Sequence, residues 1–502
     1  MLKKITLKGE QKKVLFLPAM NPIQIKGVAG SGKTTVALYR AKHLLETQNT
    51  LFQEAKVIIF TFNKTLAAYI KAVSPHINGG YNSESDEITP KTANGLNVQV
   101  VNFHSWAYRF AGVEYNQTIM QWEQIDIIRD IIIKMDSDTS NVLGKSPEFF
   151  QEEISWIKGK LFTDKDEYFD AKRVGRGTSD RITKKDKVVI WDVYSRYSAV
   201  LKNRGKVDFD DYAILCLKKI STTPNFIPPY THIIIDEAQD LNKAQILTIS
   251  KIVDQETNSL SIIADAAQRI YKSGFVWSEV GINVRGGRTI EFKKNYRNTV
   301  HIANAALSLL NHENDKSEFT EVKTALKGGS KPKVGYFNNY NEQLNWVKSE
   351  LDRLSNDDEI GNTVILHRTN SGVKVLQGIL SKHGYATELV KSSQAVNYES
   401  ESIKICTMSS VKGLEFRNVF IIDLNDDVIP FPPGFIGEDD EFHISTERRL
   451  LYTCMTRAIM NLYLLCSDKP SRYLDEISSK FLDIIKQAEQ GNNTDFDDDI
   501  PF

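Results

Sequence analysis

Short apolar runs alternate with amphipathic stretches along most of this chain. Ile23-Gln24-Ile25-Lys26, Ile233-Ile234-Ile235, Val364-Ile365-Leu366, Ile403-Lys404-Ile405-Cys406, Val419-Phe420-Ile421-Ile422 and Leu462-Tyr463-Leu464-Leu465 are short and rich in β-branched residues. That combination predicts buried parallel strands covered on both faces. Apolar positions spaced by three and four predict a helix after Thr35 and two more over 120–135 and 149–161. Residues 75–97, polar and rich in Gly, Asn and Ser, read as a loop. Strands interleaved with helices make the expected fold class α/β.

Length adds domains to this picture. At 502 residues the chain exceeds the ~250–300 residues at which single cores stop growing, so two to four domains are expected. A hydrophobic fraction of 41% with 25% charged residues is that of an ordinary globular protein. No stretch approaches the ~18–20 apolar residues of a membrane span, and Met1-Leu2-Lys3-Lys4 runs into mixed polar sequence rather than a signal-peptide core. Cys216, Cys406, Cys454 and Cys466 fall at no metal-ligand or disulfide spacing. A reducing, cytoplasmic location without a membrane partner is the expectation.

The formal charge of −1 hides an uneven distribution. Glu489, Asp495, Asp497, Asp498 and Asp499 crowd the last residues, and removing them leaves 63 basic against 59 acidic side chains, a body of +4. Net charge therefore does not exclude a phosphate-rich ligand.

Chemistry enters at Gly27-Val28-Ala29-Gly30-Ser31-Gly32-Lys33-Thr34, with Thr35 opening the helical stretch behind it. Gly-x-x-x-x-Gly-Lys-Thr between a strand and a helix is a phosphate loop: backbone N–H groups converge on phosphates at a helix N-terminus. Gly27, Gly30, Ser31, Gly32, Lys33, Thr34 and Thr35 are the expected nucleotide contacts, with Lys33 on the β/γ-phosphates and the Thr34 hydroxyl on Mg²⁺. A second apolar run, Ile233-Ile234-Ile235, ends in Asp236-Glu237-Ala238-Gln239-Asp240. A buried parallel strand would deliver these acids to the C-terminal edge of the sheet, where Asp236 holds Mg²⁺ and Glu237 orients or deprotonates the attacking water. ATP hydrolysis is the reading.

Taken in order, the remaining motifs resemble the UvrD/Rep-like superfamily 1 DNA helicases. Gln11 in Leu7-Lys8-Gly9-Glu10-Gln11 sits where that family reads adenine; Thr61-Phe62-Asn63-Lys64 and Phe103-His104-Ser105-Trp106 match its single-strand-contacting segments; Asp208-Phe209-Asp210-Asp211 matches an acidic segment. Ala264-Asp265-Ala266-Ala267-Gln268 resembles the coupling motif, whose Gln senses the γ-phosphate. Asn295-Tyr296-Arg297 carries a first catalytic arginine, Lys412-Gly413-Leu414-Glu415-Phe416 a ribose-contacting Glu, and the segment from Arg448-Arg449 to Thr456-Arg457 a second arginine. The resemblance covers residues 7–458. It implies ATP and Mg²⁺ as ligands, and movement 3′→5′ on single-stranded DNA and tailed duplexes. Thr61, Phe62, Asn63, Lys64, His104, Trp277 and Tyr296 are the implied DNA contacts, aromatics stacking on bases without reading sequence.

The sequence departs from the family at Ala264 (usually Gly) and Ser409 (usually His), and the Trp-Arg-Gly after the coupling motif is replaced by Lys272-Ser273-Gly274-Phe275-Val276-Trp277. Trp277 stands either as a replacement stacking residue or as a core tryptophan. Motif spacing implies two tandem RecA-like motor domains. The first spans 1–102 and 215–294 around a mainly helical insertion at 103–214, the second 295–486, and an acidic tail 487–502. The interval between Arg297 and Lys412 leaves no room for the second helical insertion of larger family members. Within the first insertion, residues 172–187 hold seven Lys/Arg against two Asp, either a strand-contacting face or a solvated loop.

The tail ends Asp497-Asp498-Asp499-Ile500-Pro501-Phe502. It resembles the acidic tip of bacterial single-stranded DNA-binding protein, in which an apolar anchor and terminal carboxylate dock into a basic-rimmed pocket on a partner; the bland reading is a solubilising end. Three function classes stand open: an ATP-dependent DNA helicase in repair, recombination or replication, an ATP-gated accessory motor in a repair or phage-defence assembly, and an interaction protein acting through its tip.

Overall fold

The computed structural model describes residues 7, 9–28, 30–48, 54–61, 98–135, 140–171, 182–265, 277–313, 323–326, 328–357, 359–390, 400–430 and 441–485. Six strands, β1 (Ile23–Gly27), β2 (Val57–Thr61), β3 (Gln99–Asn102), β4 (His232–Ile235), β5 (Ser259–Ala264) and β6 (Thr289–Phe292), form one sheet in the order β3-β2-β4-β5-β1-β6. Every pairing is parallel. All residues of β2 and β4 are buried, because each strand alternates between two covered faces. Ile59 and Ile234 pack under the helix Lys33–Gln48 through Val36, Ala37 and Leu44. Ile58, Phe60, Ile233 and Ile235 meet Phe103, Trp106 and the helix Lys243–Lys251 on the other face.

Between β3 and β4 the chain leaves the sheet. Helices Phe103–Ala111, Gln121–Ile133, Pro147–Lys160, Lys165–Asp170, Lys184–Arg204 and Asp211–Thr222 follow in succession. Ile128, Phe150, Ile154, Ile190, Val193 and Tyr197 form a separate core there. Lys187, in the basic run, turns inward: its ammonium is buried and donates to the carbonyls of Tyr168, Phe169 and Ala171 at 2.7–3.1 Å. It serves as a helix C-terminal cation rather than a strand-facing charge.

Asp208 ties this helical unit together. Its carboxylate accepts from Tyr197 Oη at 2.7 Å and from Lys158 Nζ at 2.8 Å, and Lys158 also reaches Asp211 at 2.7 Å. Lys158 and Asp208 are each 3% exposed. Asp208→Ala leaves the Lys158 ammonium buried with half its compensation gone, so a loss of about 3–5 kcal/mol is expected. Urea unfolding followed by far-UV circular dichroism checks this; a midpoint within error of the parent would show the pair to be incidental.

The second sheet holds β9 (Lys333–Tyr336), β10 (Thr363–His367), β11 (Thr387–Leu389), β12 (Ile403–Thr407), β13 (Phe416–Ile421), β14 (Ala458–Cys466) and β15 (Asp483–Ile484) in the order β11-β12-β10-β13-β14-β9-β15. It too is parallel throughout. The helices Val300–Leu310 and Glu441–Met455 cover one face, and Tyr340–Asn356 and Asn370–Lys382 the other. A two-stranded parallel ribbon, β7 (Lys294–Thr299) with β8 (Lys323–Leu326), begins directly after β6. Among the described residues, those between Arg297 and Lys412 belong to this ribbon and to the second sheet with its helices. No helix of the described residues is long and apolar enough to cross a membrane.

Candidate nucleotide site between the two sheets

The phosphate loop follows β1 and feeds the helix Lys33–Gln48. Gly30 and Gly32 take φ of +71° and +79°, and a Cβ on either would collide: with Asn295 Oδ1 at 2.1 Å and with Gln11 Nε2 at 2.3 Å respectively. Both positions thus require glycine for conformation and for space. Gln11 lies on the 3₁₀ turn Gly9–Phe16 and donates from Nε2 to the Ser31 carbonyl at 2.7 Å. The turn is anchored by Arg40, which is 1% exposed and donates to the carbonyls of Val14 and Leu17 at 3.3 and 2.9 Å. Lys33 folds over its own loop, donating to the carbonyls of Gly27 and Val28 at 2.9 and 3.0 Å and to Asp265 Oδ2 at 2.9 Å.

β4 delivers the acids. Asp236 is fully buried and accepts from Thr34 Oγ1 at 2.9 Å. Burial, and then the neighbouring Glu237, push its carboxyl up to about 7. A buried carboxylate beside a hydroxyl is an oxygen-only donor set, and its reluctance to ionise alone is what a divalent cation relieves; the pair fits Mg²⁺. Glu237 sits in the left-handed region at φ 56° and accepts from Gln239 Nε2. Burial opposes its ionisation, but Lys412, Lys33 and Arg457 outweigh that and hold its carboxyl below the usual value. Gln239 also accepts the Asp265 N–H at 2.9 Å, linking the acid turn to the end of β5.

The opposite wall comes from the second half of the chain. The Tyr296 N–H donates to the Gly30 carbonyl at 2.8 Å. Arg297 forms an ion pair with Glu415. Arg457, 2% exposed, donates to the Thr453 carbonyl at 2.9 Å and to Thr456 Oγ1 at 3.3 Å. Burial and then Arg297 bring its guanidinium down to about 10. Ser31 Oγ, Asp240 Oδ1 and Arg297 Nε are buried without a hydrogen-bond partner among the described residues. Arg40 Nε, Ser198 Oγ, His232 Nε2 and Ser261 Oγ are likewise unpaired among the described residues, so the three at this cleft accommodate a polar ligand without by themselves marking one.

Residues 7–275 match the family model of the UvrD/REP helicase N-terminal domain. The chain belongs to the UvrD/Rep helicase family. Residues 290–395 and 385–469 match the UvrD-like helicase C-terminal domain, and the two parallel sheets are its tandem RecA-like domains. ATP-dependent DNA helicase PcrA of Staphylococcus epidermidis is 26% identical over 399 residues, covering 76% of this chain and 50% of that protein. The same protein of Staphylococcus aureus gives the same figures, and that of Leuconostoc citreum is 24% identical over 378 residues, 72% of this chain and 47% of its own. The chain spans about half the length of these curated relatives.

Within this UvrD/Rep member, the cleft gathers Gln11, Lys33, Thr34, Asp236 and Glu237 from the first half with Arg297, Glu415 and Arg457 from the second. The residues implied as DNA contacts are dispersed. Tyr296, implied as a DNA contact, lies beside the phosphate loop: its N–H donates to the Gly30 carbonyl, and a Cβ on Gly9 would meet its hydroxyl at 2.7 Å. Thr61 closes β2 and is wholly buried. His104 is half-buried, 3.3 Å from Gln245 Nε2 and edge-on to Phe209. Trp277 opens the 3₁₀ turn Trp277–Val280 and packs, partly buried, against the first-sheet core. Phe62, Asn63, Lys64, Gln268 and the tip residues Asp497, Asp498, Asp499, Ile500, Pro501 and Phe502 lie outside the described residues. Sequence reasoning passed over Gln239, Asp240, Asp265 and Lys412, all of which sit inside motifs it had quoted.

Proposed function

We propose that this chain is an ATP-dependent DNA motor that moves 3′→5′ on single strands and opens tailed duplexes. The observation that carries the reading is the meeting, at one buried cleft, of a phosphate loop and two acids from one sheet with two arginines from the other unit. Lys33 is paired with Asp265 in a buried setting and Arg297 with the partly exposed Glu415, so each cation is held by an internal carboxylate. ATP phosphates compete for both cations. Lys33 then neutralises the β/γ-phosphates, Arg297 and Arg457 meet the charge developing on the γ-phosphate, and Glu237 accepts a proton from the attacking water. Thr34 and Asp236 would hold Mg²⁺, which would supply charge neutralisation to the phosphates when bound. Gln11 and Tyr296 sit where the adenine would lie.

Arginines on a separate domain make hydrolysis a change in domain contacts. Arg297 and Arg457 hold the cleft closed while the γ-phosphate is present and lose that ligand with phosphate release, a two-state hinge biased by ATP. The relatives bear the name ATP-dependent DNA helicase, which agrees with this reading. Strand displacement is expected on duplexes with a 3′ single-stranded tail and not on those with a 5′ tail, in the presence of ATP and Mg²⁺. Equal displacement on both, or displacement on the 5′-tailed substrate alone, sinks the polarity; single-strand-independent ATP turnover sinks the coupling.

A further inference from the structure

The acid turn has a contact that ATP chemistry alone does not call for. The 3₁₀ turn Ala238–Asp240 follows Glu237 directly and ends in Asp240. The Asp240 carboxylate pairs with Lys412 Nζ, 172 residues further along the chain. Side-chain exposures of 0% and 3% make this a buried ion pair between the two halves of the molecule. Lys412 belongs to neither β12 nor β13 but to the connection between them, three residues before Glu415. Across the cleft, the same acid turn is held by Gln239, which touches both Glu237 and the Asp265 backbone.

Buried ion pairs are poor glue, since apolar residues of the same volume would hold two surfaces together at least as well. What such a pair does well is specify one arrangement, because any other leaves a charge uncompensated. Here the arrangement specified is that of the turn carrying Glu237 against the connection carrying Glu415.

We propose that Lys412 is a positioning residue: by pairing with Asp240 across the cleft it fixes the turn 237–240, so that Glu237 is aligned for hydrolysis only while the second domain is docked on the first. The inference rests on the ATP-hydrolysis reading above. It assigns the sensing of closure to a contact at the turn that carries Glu237, made by neither arginine. A chain with its domains apart can then bind nucleotide on the phosphate loop without hydrolysing it.

The test uses Lys412→Ala, the near-isosteric Asp240→Asn, the double variant, and the exchange of the two residues (Lys412→Asp with Asp240→Lys), on the full chain with saturating single-stranded DNA. Each single variant is expected to lower kcat about 100-fold, the scale of a misplaced catalytic group. KM for ATP and the affinity for a non-hydrolysable analogue should stay within about twofold, as a loss confined to the transition state requires. The double variant should be no slower than the slower single one, and the exchange should recover part of the loss. Small-angle scattering with the non-hydrolysable analogue bound should report a larger radius of gyration for Lys412→Ala than for the parent. Urea midpoints guard against misfolding, and Asp240→Asn decides the matter if Lys412→Ala fails to fold. Losses that multiply in the double variant, or that fall on KM alone, overturn the inference. Wild-type turnover with an unchanged Asp240→Asn overturns it while the ATPase reading stands; absence of wild-type turnover on any strand overturns both.

Discussion

Glu237→Gln should give a chain that binds ATP as the parent does and turns it over about 10²–10⁴ times more slowly, the usual contribution of a positioned general base. The substitution is nearly isosteric. The amide oxygen still accepts the hydrogen bond that Gln239 donates to the Glu237 carboxylate, so the turn and its left-handed φ of 56° are kept. What disappears is the basic oxygen, which Lys412, Lys33 and Arg457 hold ionised in spite of burial. Lys33→Ala should fail differently. It removes the cation that spans the Gly27 and Val28 carbonyls and Asp265, leaving Asp265 buried without it, and nucleotide affinity should fall together with turnover. Analogue binding by fluorescence, alongside phosphate release with and without single-stranded DNA, separates the two. Turnover of Glu237→Gln within tenfold of the parent would remove Glu237 from the reaction.

Arg457→Ala should cost about 10³-fold or more in single-turnover hydrolysis while ATP still binds, as expected for an arginine supplied from a second domain. Its guanidinium is wholly enclosed and lies close enough to Arg297 for each to oppose the other's charge; burial first and then that neighbour lower it to about 10. A cation so placed is stabilised most by an anion that gains charge, which describes the γ-phosphate in its transition state. Arg457→Lys should not rescue, because an ammonium cannot reproduce the fork that reaches the Thr453 carbonyl and Thr456 Oγ1 together. Rapid-quench measurement of the hydrolysis step is the check. A loss under tenfold, or full activity in the Lys variant, would reduce Arg457 to a packing residue.

The strands that the sequence revealed were those it had to reveal. β4 from Ile233 and β13 from Val419 are buried on both faces and so read as unbroken apolar runs. β6, exposed at Thr289 and Glu291 on the sheet edge, and β15, two exposed residues long, carry no such signal. The helix expected over 149–161 begins earlier, at Pro147, because its start is set by the Ser146 cap and the proline behind it, ahead of the first apolar position at Phe149. The first half of the nucleotide site was legible because phosphate loops and acid strands are local patterns. The pairs Lys33–Asp265 and Lys412–Asp240 join residues 232 and 172 positions apart, and only the fold brings them together. Tyr296 shows the limit most directly: an aromatic ring suits an adenine or a DNA base equally, and only the fold brings it beside Gly9 and Gly30.

The split of the first sheet sets the order in which this protein can be made. β2, every residue of which is buried, ends at Thr61, while the strand it pairs with on one side, β4, starts at His232. At translation rates of about 5–20 residues per second, β2 emerges on the order of 10–30 s before that partner exists. β1 waits longer, since its neighbours are β5 and β6. The phosphate loop is therefore synthesised well before the strands that flank it, and the helical insertion, which carries its own core, can fold during the interval. Nascent chains stalled before Phe292 hold an incomplete sheet with apolar edges, the kind of exposed surface that makes a partly made chain prone to aggregation.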